Sequence, residues 1–359
     1  MTTNKMSKIT STNPMGTDGF EFIEYASPDP AALDSLFKRF GFAPIARHRS
    51  KKVTLYRQGS VNFIVNDEPD SFAQKFSREH GPCACAFAIR VEDAAFAYKR
   101  ALDLGCEPGP VQNGPMELNI PSIVGIGGSL LYLVDRYDDK GSIYDVDFVP
   151  IDGVDQEPEG VGLMLIDHLT HNVHRGDMDK WASFYEGIFN FREIRYFDIK
   201  GAMTGLKSRA MTSPCGKIKI PINESSDSKS QIEEYLKEYN GEGIQHIAMC
   251  TNDIYHTVPT MRSSGAVFMD SPPDTYYEML SERLPWHNEK VEELKENAIL
   301  MDGDRTEDGG LLLQIFTGTV IGPIFFEIIQ RKGNDGFGEG NFTALFESLE
   351  RDQLKRGVL

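Results

Sequence analysis

Three of the chain's eight histidines fall in the short stretch IDHLTHNVH, at His168, His171 and His174. Another, His246, stands in GIQHIAM, and a carboxylate, Glu327, sits in the apolar run GPIFFEIIQR. Imidazole is a neutral, borderline-soft ligand, and a carboxylate lowers the net charge of a divalent centre. Two histidines and one acid on a single face leave positions open for a chelating substrate and for O2. That set suits non-haem Fe(II), and spacing alone leaves Mn and Zn open as well. Each residue also has a plainer reading. A lone strand histidine is more often a hydrogen-bonded core residue. Glu327, between Phe326 and Ile328, must be protonated, paired with Arg or Lys, or bound to a cation, because a bare carboxylate there would be costly. What favours the metal is where the three stand in the chain.

The chain reads as one fold written twice. The stretch DRYDDKGSIYDVDFVPIDGVDQEPEGVG (135–162) is rich in Asp, Gly and Pro and lacks a helical or alternating pattern, so it reads as a connector. The expected domains are 17–140 and 161–359, joined by 141–160. Each half opens with a strand followed by a helix: FEFIEYAS then DPAALDSLFKRFGF, and LMLIDHLTHNV then GDMDKWASFYEGIFNF. In the latter helix Met178, Trp181, Phe184, Tyr185 and Ile188 share one face, with Asp177 placed to cap it. ACAFAIRVEDAAFAYKRALDLGC is similar to IQHIAMCTNDIYHTVPTMRSSGA, and each half closes on a strand ending in arginine, SLLYLVDR and PIFFEIIQR. The expected class is α+β, with mixed sheets and helices packed on one side. Aligning the halves sets Tyr25 opposite His168, Ala86 opposite His246, and Tyr132 opposite Glu327. Only the second half keeps a polar trio.

Strand alternation puts Ile166, His168 and Thr170 on one face. It places His171 and His174 further along, where they read as supporting or surface groups. Gln314 shares a face with Phe316, as Phe325 does with Glu327, so an amide and aromatic rings would stand beside the metal. Such a site suits a small aromatic molecule with polar ends. The glycines of GFGEGNF neither follow a strand nor open a nucleotide loop, so no phosphate site is expected there.

With 37 basic against 54 acidic residues, the net charge of −17 opposes binding to a phosphate backbone, so no nucleic-acid partner is expected. Cys83, Cys85, Cys106, Cys215 and Cys250 form no disulfide pattern and read as free thiols in a reducing compartment. The opening MTTNKMSKITSTNPMG lacks the apolar core of a signal peptide, and no apolar run is long enough to span a bilayer. The expectation is a cytoplasmic protein with no membrane partner.

The stretches IDHLTHNV, PINES with SQI, GIQHIAM, LLLQIFTG, FFEIIQRKG and DGFGEGNFTALFESLERDQLKRGVL resemble the 4-hydroxyphenylpyruvate dioxygenase family of the vicinal oxygen chelate superfamily. The resemblance spans nearly the whole chain and is densest after residue 160. It implies two domains, each an open mixed β-barrel of two βαβββ modules, with the first degenerate and metal-free. A C-terminal helix would gate the second domain. It implies Fe(II) on His168, His246 and Glu327. It also implies substrate contacts from Ser208, Asn223, Gln231, Gln245, Gln314, Phe316, Phe325, Phe337, Asn341 and Phe342. Strict alternation would turn Gln245 away from the side of His246, and Ser225 after PINE departs from the family's usual residue. The implied reaction converts 4-hydroxyphenylpyruvate and O2 to homogentisate and CO2, in a homodimer or homotetramer. A hydroxymandelate synthase-like oxidation of the same substrate, or a non-catalytic binding protein, are the alternatives.

Overall fold

The computed structural model describes residues 7–358 except 112, 115, 201–204, 273, 305, 339, 342–352 and 354–356. Each half builds one curled eight-stranded mixed sheet. The first contains β1 (Phe20–Ala26), β2 (Ala43–His48), β3 (Val53–Gln58), β4 (Val61–Asn66), β5 (Cys83–Arg90), β6 (Ser122–Val124), β7 (Leu130–Val134) and β8 (Phe148–Pro150). The second contains β9 (Leu163–Val173), β10 (Arg192–Lys200), β11 (Gly205–Thr212), β12 (Lys219–Ser225), β13 (Gly243–Thr251), β14 (Leu300–Gly303), β15 (Leu311–Phe316) and β16 (Phe325–Lys332). Their orders, β8-β2-β3-β4-β1-β5-β7-β6 and β10-β11-β12-β9-β13-β16-β15-β14, superimpose module on module. In both, the opening strands of the two modules pair antiparallel at the centre, β1 with β5 and β9 with β13.

Two features depart from the sequence expectation. The expected connector carries a short helix, Tyr144–Asp147, followed by β8, which pairs with β2 and extends the first sheet's edge. Among the described residues, the second module of the first half has two strands after its helix where three are expected, β6 and β7. Short strands there leave less backbone to pair, and β8 returns from beyond the module to fill the opposite edge.

The helices follow from local signals. The helix Met178–Phe189 buries Met178, Trp181, Ala182, Tyr185, Ile188 and Phe189. Asn190 ends it in the left-handed conformation at φ 58°, a conformation that asparagine tolerates. Asp177 occupies the cap position, but its carboxylate turns to Lys180. Glu224 instead accepts the backbone N–H groups of Gly176 and Met178. No helix among the described residues is long and apolar enough to cross a membrane.

One apolar core joins the halves. Phe326, fully buried, packs its ring on Phe40 at 5.2 Å and on Phe63 at 5.9 Å. Truncating such a ring to alanine typically costs about 3–5 kcal/mol. The opposite, concave face of each sheet is left free to line an interior.

Candidate functional site

His168 on β9, His246 on β13 and Glu327 on β16 converge inside the second barrel. Across the sheet His168 pairs with Ala248 and Ala248 with Glu327, while His246 lies two residues before Ala248 and pairs with Thr170. His168 Nε2 and Glu327 Oε2 are 3.2 Å apart, His246 Nε2 and Glu327 Oε2 3.4 Å, and the two Nε2 atoms 3.3 Å. Three donors at right angles, each about 2.1 Å from one ion, would be about 3.0 Å apart, so the trio fits a single metal. Glu327 Oε1 is buried with no hydrogen-bond partner among the described residues, as befits a carboxylate arranged for something other than protein donors.

The histidines are held from behind. His168 Nδ1 donates to Asp167 at 2.8 Å, and His246 Nδ1 donates to Gln245 Oε1 at 2.9 Å. Both lone pairs on Nε2 therefore face the centre. Asp167 is gripped in turn by Arg331 through two bonds of 2.7 and 2.8 Å. The same guanidinium donates to the backbone oxygens of Asn334 and Gly336, at the foot of the loop that carries Phe337. One arginine thus links a histidine's orientation to the wall of the pocket. The arginine that the sequence allowed as a partner for Glu327 binds Asp167 instead.

Electrostatics agree with this arrangement. Burial alone would raise the Glu327 carboxyl, but His168 and His246 outweigh it and hold it at about 2. Burial would lower His168, and the carboxylates of Glu327 and Asp167 outweigh it and raise it. His246 stays lowered, because burial exceeds the pull of Glu327. Asp167 is held well below its usual range, since Arg331 and His168 overcome its burial.

Around the trio, Ser208, Asn223, Gln231, Gln245, Gln314, Phe316, Phe325 and Phe337 line one pocket together with Thr170 and Pro221. Ser208 and Asn223 face each other across β11 and β12. The Ser230 hydroxyl caps the helix Gln231–Glu238 by accepting from Glu233, which sets Gln231 at its first position. Gln245 faces inward despite the alternation rule. A register shift between Ile244 and His246 puts a bulge there, and a bulge re-aims side chains. The Ser225 hydroxyl accepts from Asp227 N–H and Ser230 Oγ, so the loop after PINE is organised around it. Phe325 stacks on the His246 ring at 4.7 Å, and Phe337 meets the His168 ring edge-on at 5.5 Å. Gly338 explains the glycines there: its φ is 73°, and a Cβ would fall 1.7 Å from Gln314 Oε1.

Not every expected residue takes part. Asn341 stands behind the pocket, donating to Gln314 Oε1 at 3.3 Å. Phe342 and the helix expected after it lie outside the described residues. His171 is fully buried on the far face of β9, bonded to the Tyr185 hydroxyl at 2.7 Å, and His174 is exposed. Three residues escaped the sequence reading. Asp167 is next to His168 in the chain, and Arg331 closes the strand of Glu327, so both signals were present but their pairing was not. The Thr170 hydroxyl lies 2.9 Å from His246 Nε2, beside the centre.

The alignment of halves holds at two of three positions. The row His168–Ala248–Glu327 matches Phe22–Ala88–Tyr132, and His246 matches Ala86. Phe22, not Tyr25, is the counterpart of His168. Tyr25 falls opposite His171, and its ring packs outward on Phe37 at 5.1 Å.

Comparison with known proteins accords with this geometry. Residues 11–149 match the pattern of the hydroxyphenylpyruvate dioxygenase N-terminal family, and residues 165–289 that of the glyoxalase/bleomycin resistance protein/dioxygenase superfamily. A Pseudomonas sp. protein named 4-hydroxyphenylpyruvate dioxygenase is 60% identical over 97% of this chain and 98% of its own. The chain belongs to the 4-hydroxyphenylpyruvate dioxygenase family. A Vibrio vulnificus protein named hemolysin VllY is 61% identical over 98% of this chain and 99% of its own. Among solved structures, a triple mutant of Streptomyces coelicolor 4-hydroxymandelate synthase matches with a TM-score of 0.81 at 25% identity, covering 94% of this chain and 99% of its own. The family's metal-bearing character is consistent with the trio of donors, which can hold an ion.

Proposed function

We propose that this chain converts 4-hydroxyphenylpyruvate and O2 to homogentisate and CO2, with Fe(II) held by His168, His246 and Glu327. The observation that carries the reading is the meeting of those three donors within a pocket otherwise walled by amides and phenylalanines. A ferrous ion there would bind the 2-oxo acid and supply the redox chemistry with O2. The rest falls to the chain's own groups. Asp167 and Gln245 keep the Nδ1 protons of the two histidines, so that neither ring can turn its lone pair away. Ser208, Asn223 and Gln231 offer a hydroxyl and two amides to the phenol end of the substrate. Phe316, Phe325 and Phe337 hold its ring flat and keep water out.

The pocket encloses about 60 Å³, room for about two waters. A nine-carbon keto acid needs several times that, so one wall must yield on binding. Phe337 is the wall carried by a loop rather than a strand, and we assign the movement to it.

Anaerobic loading with Fe(II), followed by addition of substrate and air, is expected to give O2 uptake matched by CO2 release and homogentisate in the mass spectrum. 4-Hydroxymandelate as the product would move the reading to oxidation of the benzylic carbon. Absence of coupled uptake would leave a binding protein.

A further inference from the structure

The first barrel is hollow. Its concave side holds a cavity of about 710 Å³ that opens to solvent, against about 60 Å³ in the second. That size falls within the range of small-molecule sites. The ligand set of the second barrel is replaced here by Phe22, Ala86 and Tyr132, which cannot hold a metal. One amide is retained: Asn66 follows the register position of Asn223, two places beyond Ile64, the partner of Glu24.

The polar character of the interior selects the occupant. Glu24 stands where Thr170 stands in the second barrel, since it pairs with Ala86 as Thr170 pairs with His246. It is 8% exposed and lines the cavity. Among the described residues, its carboxylate has one hydrogen-bond partner, the Asn66 amide at 2.6 Å. The other buried acids on the wall already have cations: Glu117 binds Lys51 at 2.6 Å and Asp147 binds Arg49 at 3.0 Å. Among the described residues Glu24 makes no ion pair; burial raises its carboxyl, and the Asn66 amide and the charge of Lys51, which stands on the same wall and is bound to Glu117, oppose that rise. On the same cavity wall the rings of Phe22 and Tyr132 pack against each other, 5.6 Å apart and tilted. A buried acid on one wall with two rings is the chemistry that recognises an ammonium on an aromatic body.

We propose that the cavity of the metal-free barrel binds an arylalkyl amine, with its ammonium on Glu24 and its ring against the Phe22–Tyr132 pair. An anion of the same shape would meet Glu24 unpaired, so the site discriminates by charge.

The test uses the Fe(II)-loaded full chain and 2-phenylethylamine as probe, with phenylacetate as the anion of like shape, by titration calorimetry. One amine per chain is expected to bind, and phenylacetate at this site at least ten-fold more weakly. Glu24→Gln retains an acceptor for Asn66 and is expected to weaken amine binding at least ten-fold, while homogentisate formation stays at the wild-type rate. Phe22→Leu, which removes a ring and leaves the carboxylate, is expected to weaken it several-fold. No amine binding at millimolar concentration overturns the proposal, as does equal affinity for phenylacetate. Amine binding that survives Glu24→Gln but is lost in Glu327→Gln overturns it too, by placing the amine in the second barrel.

Discussion

The two barrels share strand order, pairing and curvature, and differ in what stands on a few inward positions. In the second, His168, His246 and Glu327 draw together, and amides fill the space around them: Gln245 bonds His246, and Gln314 bonds Asn341. In the first, Phe22, Ala86 and Tyr132 take the same three places and leave an open interior. A similar support lies beneath both, supplied from different strands, β5 in the first barrel and β16 in the second. Glu21, just before Phe22, is bound by Arg90, as Asp167, just before His168, is bound by Arg331. The lesson is that an acid held by an arginine stands before the inward position in both barrels, and becomes part of a metal site only where a histidine is there to donate a hydrogen bond to it.

That contrast can be broken at several points. The largest effect is expected from Glu327→Gln, which removes a ligand and should abolish homogentisate formation. Its loss of metal affinity, read by anaerobic titration, should exceed the 10–100-fold typical of removing a ligand's supporting partner. Retained iron and activity would show that the trio is not the centre.

Next is Arg331→Met. Leaving Asp167 buried without its cation should cost about 3–5 kcal/mol in denaturant unfolding. It should also lower metal affinity about 10–100-fold, because Asp167 no longer holds His168 firmly. Arg90→Met provides the matched control in the first barrel. It should also destabilise the fold yet leave metal affinity unchanged. If both variants lose metal equally, the two pairs are not distinguished by the histidine.

A smaller effect separates His171 from its counterpart Tyr25. Burial holds the His171 imidazole at about 3, below its ordinary 6.5. The unfolded chain therefore takes up a proton there that the folded chain refuses. Stability from this group is complete above pH 6.5 and falls as the pH drops. By pH 5 it has lost about 2 kcal/mol. His171→Gln should flatten that limb of the stability–pH curve. An unchanged limb would assign acid sensitivity elsewhere.

The smallest change in rate, but the most informative in product, is expected from Phe337→Ile. With the ring against His168 replaced by a branched aliphatic chain, part of the product should shift to 4-hydroxymandelate, read by mass spectrometry. Homogentisate alone would remove Phe337 from the control of where the oxygen goes.

Much of this was legible in the chain. The repeat, the central strands and the trio could be read because alternation, helical spacing and an acid in an apolar strand are local patterns. Pocket members Ser208, Asn223 and Gln231 came from resemblance, not from pattern, since polar residues at strand and helix ends have many uses. Other features depended on contacts that no local pattern encodes. The bulge at Gln245 is a mismatch between two strands far apart in sequence, so alternation along one of them pointed the wrong way. Phe22 replaced Tyr25 as the counterpart of His168 because register is counted across neighbouring strands. The Asp167–Arg331 bridge joins residues 164 positions apart, which only the folded sheet brings side by side. The sequence by itself determined which side chains were available for chemistry and that the scaffold occurs twice. The tertiary structure alone decided which of them meet, and that one barrel closes around its polar residues while the other stays open, because both outcomes depend on distances set by strand pairing and packing.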